Sequence, residues 1–269
     1  MPKNVKLEEN RVRRRRIPRL RVRRMRLRRI PKVFVPNSIT ALSIFTGYLS
    51  IIYALDSQYV GAAWLILLAG LLDSMDGRVA RRMDATSAFG EEFDSMADVV
   101  NYGVSPSLLF YKVYFASFGL VGVGICFICV FCAAFRLARF NVLSSAGADK
   151  SYFTGLPSTI GGGWLASYVI FAHTVWSSSY GPMSLAAIVL VIACGLMVSQ
   201  VQYEKTKVTQ TALLDPRRLA LVIMIVVTMA LFPTVALFIW VSIFILNGLF
   251  RSAITTFQDV RAARREVIP

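Results

Sequence analysis

Asp73-Ser74-Met75-Asp76-Gly77-Arg78-Val79-Ala80-Arg81, followed by Gly90-Glu91-Glu92-Phe93-Asp94-Ser95-Met96-Ala97-Asp98, sets four aspartates within a strongly apolar chain. On a helix turning about 100° per residue, Asp73, Asp76, Gly77 and Ala80 share one arc. Gly90, Asp94 and Asp98 share an arc of the next helix. Two helices facing each other through these arcs bring four carboxylates around one point. Ionised carboxylates near lipid are costly unless they are paired, neutralised or bound to metal. Oxygen-only ligands select hard ions, Mg2+ or Mn2+ first. Asp73, Asp76, Asp94 and Asp98 are therefore the expected metal ligands. Gly77, Ala80 and Gly90 put no bulk on the same faces, leaving room for a ligand or for close helix approach. Arg81, one turn beyond Asp76, is placed to meet an anionic group held there. The plainer alternative is a set of helix-end acids paired with Arg78, Arg81 and Arg82. It gives no reason for acids to recur at i, i+3 and i, i+4 beside small residues.

Outward from this stretch the chain reads as an all-α, polytopic membrane helix bundle. Its 269 residues are 56% hydrophobic, with a mean hydropathy of +0.58, which excludes the ordinary soluble class. A span needs about 20 predominantly apolar residues, and about eight are expected: 37–56, 59–81, 88–115, 118–140, 157–176, 183–201, 217–233 and 235–251. The last two are separated only by Phe232-Pro233-Thr234. A polar segment from Ser144 to Thr154 is long enough to form a loop over the mouth of a site.

The net charge of +15 is concentrated at one end. Residues 1–32 hold 15 of the 30 Lys and Arg with only Glu8 and Glu9, a balance of +13 that leaves +2 for the rest. A polybasic segment just before a first span is drawn to anionic headgroups and keeps the amino terminus in the cytoplasm. A nucleic-acid-binding arm is not expected, because the tail lacks aromatic residues for base stacking. Nor is a removable signal peptide, since no short apolar region with a small-residue cleavage site follows the charges. With the amino terminus inside, Arg81-Arg82, Arg139 with Lys150, Lys205-Lys207 with Arg217-Arg218, and Arg251 to Arg265 all fall on the cytoplasmic side. The aspartates, at the end of span two and the start of span three, face the cytoplasm with them. Cys126, Cys129 and Cys132 sit in an unbroken apolar helix and read as small packing residues. His173 stands alone near the opposite face.

Written out, the opening pattern is D-x2-D-G-x2-A-R-x8-G-x3-D-x3-D, eight fixed residues in 26 positions. It resembles the signature of the CDP-alcohol phosphotransferase family without a departure. That resemblance implies transfer of a phosphate-ester group from a CDP-activated lipid or alcohol to a hydroxyl, with CMP leaving. It further implies two Mg2+ or Mn2+ ions, Asp98 as the base, and Asp73, Asp76 and Asp94 mainly as metal ligands. The nucleotide would lie against Gly77, Ala80 and Gly90, with Arg81 near the diphosphate. Asn37, in a polar break before span one, is a further candidate contact. A homodimer is implied by the family alone.

Outside the signature, four segments look like the bacterial and archaeal serine-accepting branch of that family. These are Val35-Pro36-Asn37-Ser38-Ile39-Thr40, Asn101-Tyr102-Gly103-Val104-Ser105-Pro106, Arg136-Leu137-Ala138-Arg139-Phe140-Asn141 and Tyr152-Phe153-Thr154-Gly155-Leu156-Pro157-Ser158. Together the resemblance covers about Val33 to Gln200. It implies a six-helix core with two added helices, and CDP-diacylglycerol and L-serine as substrates at the cytoplasmic membrane. The organisation expected is a basic tail at 1–32, a core at 33–202, two further spans at 203–253 and a cytoplasmic tail at 254–269. Arginine offers a planar fork that matches a carboxylate. Arg136 and Arg139, on one helix face near the cytoplasmic end of span four, are thus the candidate contacts for serine, with snorkelling anchors as the alternative. Two competing functions are a sister synthase accepting glycerol 3-phosphate or inositol phosphate, which calls for a denser basic pocket, and a divalent-cation transporter. A transporter usually holds its ligands near the bilayer midplane on broken helices.

Overall fold

The computed structural model describes residues 32–145, 152–199, 201–204 and 216–267. The basic tail at 1–31, Lys150 and the Lys205-Lys207 segment lie outside them, and so do the expectations attached to those residues.

Helix α1 (Phe34–Leu55) shows how the bundle is sorted. Its buried positions Pro36, Thr40, Ser43, Gly47, Ser50 and Ala54 recur every three or four residues and are small or polar. Leu42, Phe45 and Tyr48 point outward and are exposed. Large apolar residues outside and small ones inside is the pattern of helices that pack together within lipid. Helix α2 (Tyr59–Arg82) repeats it, burying Ala62, Ala63, Ile66, Ala69 and Asp76 against α1 while Trp64, Leu68 and Leu71 face out. The Ser43 hydroxyl donates to the Ala69 carbonyl at 3.0 Å across this contact.

Helix α3 (Ala88–Asp98) begins at Ser87, whose side chain accepts from Gly90 N–H at 3.0 Å and so caps the helix. Immediately after Asp98 the helix widens into a π-helical segment, Val99–Val104, a distortion frequently found at functional sites. This segment is pinned to α1: Asn101 Nδ2 donates to Ser43 Oγ at 2.7 Å, and Ser105 Oγ donates to the Gly47 carbonyl at 3.0 Å. A side chain at position 47 would run into that of Asn101. Helix α4 (Ser105–Phe110) continues into a second π turn at Tyr111–Phe115 and a 3-10 turn at Ala116–Phe118. Gly119 then takes φ +53 and the chain returns as α5 (Gly119–Ser145), packed against the first π segment and α4.

Helix α6 (Ser158–Trp176) is the centre of the bundle and is buried on nearly every side, against α2, the π segment, α7 (Met183–Val198) and α9 (Pro233–Val267). Helix α8 (Pro216–Leu231) precedes α9, with the break at Phe232. Phe238 anchors α9 by stacking on Phe171 at 4.8 Å and Trp164 at 6.1 Å, and Trp164 Nε1 donates to Ser242 Oγ at 2.8 Å. Among the described residues, the stretches long and apolar enough to cross a membrane are Phe34–Leu55, Tyr59–Arg82, Ala88–Leu143 and Pro233–Ser252. Met183–Val198 and Leu219–Leu231 are shorter apolar helices. The described residues form a polytopic helical membrane bundle.

Two features depart from the sequence reading. A two-stranded antiparallel ladder pairs β1 (Tyr152–Thr154) with β2 (Gln202–Glu204), so part of the expected loop is extended chain. Gly155 makes the ladder possible: its φ is +80, and a Cβ there would meet the Met197 carbonyl oxygen at 2.7 Å. Helix α9 continues unbroken to Val267. The π-helical turns left no periodicity signal at all. As expected, Cys126, Cys129 and Cys132 are buried thiols in the apolar core. His173 lies against the Tyr180 ring at 5.3 Å, outside the acidic cluster.

Candidate active site

The carboxylates converge where the end of α2 meets α3. Oxygen atoms of Asp73, Asp76 and Asp94 all lie within 4.8 Å of one another. Two full charges at that separation repel by about 3–4 kcal/mol at an effective dielectric of about 20. No lysine or arginine pairs with these three among the described residues. Asp76, only 4% exposed, is held in place from two sides: Thr40 Oγ1 of α1 donates to its Oδ2 at 2.6 Å, and Gly77 N–H donates to its Oδ1 at 2.6 Å. Asp73 Oδ1 is buried with no partner. An unpaired, hard-oxygen donor set containing an orphaned carboxylate oxygen is suited to a divalent cation.

A groove opens beside the cluster. Asp76 and Asp94 form one side, and Asn37, Thr40, Gly77 and Ala80 line the rest with Arg81 and Gly90. Every residue expected to contact the nucleotide lipid is therefore on one groove. Two glycines keep it open. A Cβ on Gly77 would lie 3.5 Å from Arg81 Nη1, showing that the guanidinium folds back over its own helix toward Gly77. A Cβ on Gly90 would meet Asn37 Oδ1 at 3.3 Å.

Asp98 belongs to the same electrostatic neighbourhood, close to Asp73 and Asp76, but its hydrogen bonds run the other way. Ser158 Oγ donates to Asp98 Oδ2 at 3.3 Å, and Arg136 Nη1 donates to Ser158 Oγ at 2.9 Å. Arg136 is 6% exposed and buried near Phe140, with its Nε–H lacking a partner. Arg139, expected beside it, is turned elsewhere: its Nη1 donates to the Val198 carbonyl at 3.0 Å and its Nη2 to the Ser199 carbonyl at 3.1 Å, capping the end of α7.

Three members of this region had no role assigned from sequence, although each lies in one of the family-like segments. Thr40 ends the first of them, three residues past Asn37. Ser158 ends the last, directly after Pro157. Tyr102 continues the arc of Gly90, Asp94 and Asp98 by one more step of four, and that signal was there to be read. Its hydroxyl is buried without a partner beside Gly70, and α6 packs so tightly on it that a Cβ on Gly162 would meet Tyr102 Cα at 2.7 Å.

Fold and site together define an α-helical integral membrane protein with a carboxylate centre beside an open groove. Residues 33–248 match the CDP-alcohol phosphatidyltransferase model, and the chain belongs to that family. The matched region runs through α8 into α9. A Helicobacter pylori CDP-diacylglycerol–serine O-phosphatidyltransferase is 38% identical over 177 residues, 66% of this chain and 74% of the relative. A Mycobacterium tuberculosis protein of the same name is 40% identical over 154 residues, 54% of each chain, so this chain spans about half of that relative. Methanothermobacter thermautotrophicus archaetidylserine synthase is 33% identical over 175 residues, 64% of this chain and 70% of the relative.

Proposed function

We propose that the protein makes phosphatidylserine, transferring the phosphatidyl group of CDP-diacylglycerol to the hydroxyl of L-serine and releasing CMP. The observation that carries this reading is the pairing of one buried, incompletely satisfied guanidinium, Arg136, with Asp98 at the edge of the acidic cluster. Serine presents a carboxylate for the first and a hydroxyl for the second. The serine-specific names of the relatives support the same acceptor.

In this reading Asp73, Asp76, Asp94 and Asp98 hold two Mg2+ or Mn2+ ions, which when bound neutralise the diphosphate and stabilise the departing CMP. Asn37, Gly77, Ala80 and Gly90 shape the groove for the nucleotide, and Arg81 meets the diphosphate. Thr40 fixes Asp76 so that its carboxylate keeps one orientation. Arg136 holds the serine carboxylate, and Asp98 takes the proton of the serine hydroxyl as its oxygen attacks phosphorus. The new serine O–P bond forms as the bond to the CMP oxygen breaks. Arg139, spent on the end of α7, keeps a framework role in this scheme.

The reading extends to topology. Eight spans, a six-helix core over 33–202 with two further helices over 203–253, suit the hydropathy of the sequence. The distribution of Lys and Arg supports both termini and the acidic cluster on the cytoplasmic side of the cell membrane. The tail at 1–32 carries charge enough to bind anionic headgroups. The test offers purified protein CDP-diacylglycerol, divalent metal and, separately, labelled serine, glycerol 3-phosphate and inositol phosphate. Label should enter lipid from serine alone; transfer to either phosphorylated acceptor in its place would overturn the assignment.

A further inference from the structure

Ser158 is the first residue of α6, directly after Pro157 at the N-cap, and the close approach of this helix end to α3 and α5 decides what its side chain meets. Its hydroxyl is fully buried and is given to two charged groups from other elements, accepting from Arg136 Nη1 at 2.9 Å and facing Asp98 Oδ2 at 3.3 Å. Chemistry sets the direction of this chain. A guanidinium has donors only, so the Ser158 oxygen accepts from Arg136 and its one proton is left for Asp98. Asp98 Oδ2 is thereby engaged, and on Arg136 the buried Nε–H remains available.

The backbone around this contact is tightly packed. Gly161 and Gly162, on the turn after Ser158, let α6 close onto its neighbours: a Cβ on Gly162 would meet Tyr102 backbone atoms at 2.7 and 2.9 Å. Tyr102 belongs to the π segment that begins directly after Asp98. The approach of α6 to that segment is what brings a short serine side chain within reach of Asp98.

We propose that Ser158 is a positioning residue of the transfer reaction, holding the anchor for the acceptor's carboxylate, Arg136, and the base for its hydroxyl, Asp98, at one fixed separation. This rests on the serine reading above and deepens it. A fixed separation between anchor and base favours an acceptor whose carboxylate and hydroxyl are as close as they are in serine. Misplacement of a reacting group by about 1 Å can cost on the order of a hundredfold in rate.

The test is a cycle of variants in purified full-length protein. Ser158→Ala should lower kcat/KM for serine roughly 10- to 100-fold, the size of a hydrogen bond to a charged group. Equilibrium binding of CDP-diacylglycerol should stay within about twofold, because Ser158 does not line the donor groove. In an Arg136→Lys background the same substitution should cost less than about threefold more, since the two residues act as one unit. Unchanged serine kinetics in Ser158→Ala, or fully additive losses in the double variant, would overturn the relay. Loss of CDP-diacylglycerol binding together with turnover would also overturn it, marking Ser158 as a packing residue. Wild-type protein inert to serine overturns the acceptor reading and the relay with it. Normal wild-type turnover with an unaffected Ser158→Ala overturns the relay alone.

Discussion

The two sides of the site neutralise charge in different ways. On the groove side, Asp73, Asp76 and Asp94 crowd within 4.8 Å with no cationic side chain among the described residues to offset them. On the other side, Asp98 is tied through Ser158 to a buried arginine that the protein supplies itself. The contrast separates two tasks. One side must take up charge from outside, as cations and a diphosphate do together. The other is complete enough to hold a base in place before any substrate arrives, with one guanidinium donor to spare.

The sharpest way to break this comparison is to remove the external charge. Chelation should abolish CMP release, and Mg2+ or Mn2+ should restore it, because the groove side has no internal substitute. Full turnover in excess EDTA would show that the acids are neutralised some other way. Next in size, Asp98→Asn keeps the shape and removes the base, so turnover should fall by at least ~100-fold while CDP-diacylglycerol binding persists. If that variant instead abolished metal binding while another of the four carboxylates showed the turnover-only defect, the base would be that other residue. The smallest expected effect comes from Thr40→Val, which deletes the 2.6 Å bond to Asp76. Partners that orient ligands commonly contribute about tenfold in metal affinity. Titration with Mn2+, read by its own spectroscopic signal, should show that weakening with serine KM unchanged; equal Mn2+ affinity would mean that Thr40 only packs.

How much of this was legible in the sequence follows the same division. The groove side is local: Asp73 to Asp98 occupy two consecutive helices, so helical spacing alone brings the acids and the small residues together. Asn37 lines the groove with Gly77 and Gly90. The acceptor side is assembled from α3, α5 and α6, with Ser158 lying 60 residues from Asp98 and 22 from Arg136. No periodicity within one helix reports a contact of that kind. Arg136 and Arg139 were read as a pair because they share a helix face, with Arg136 the deeper of the two. Three residues of separation turn one toward Ser158 and the other toward the carbonyls ending α7. The widened turn after Asp98 was invisible for a related reason, since it is set by what Asn101 and Tyr102 pack against in α1 and α6 rather than by the apolar pattern around them.

The most direct test of the account lies in the Arg136 guanidinium. Arg136→Lys keeps the charge and loses the planar fork, so KM for serine should rise by about tenfold or more with CDP-diacylglycerol binding preserved. Serine methyl ester, which lacks the anionic group, should be a poor acceptor for the wild type and nearly indifferent to the substitution. An unchanged KM for serine in Arg136→Lys would contradict the claim that this buried arginine holds the acceptor.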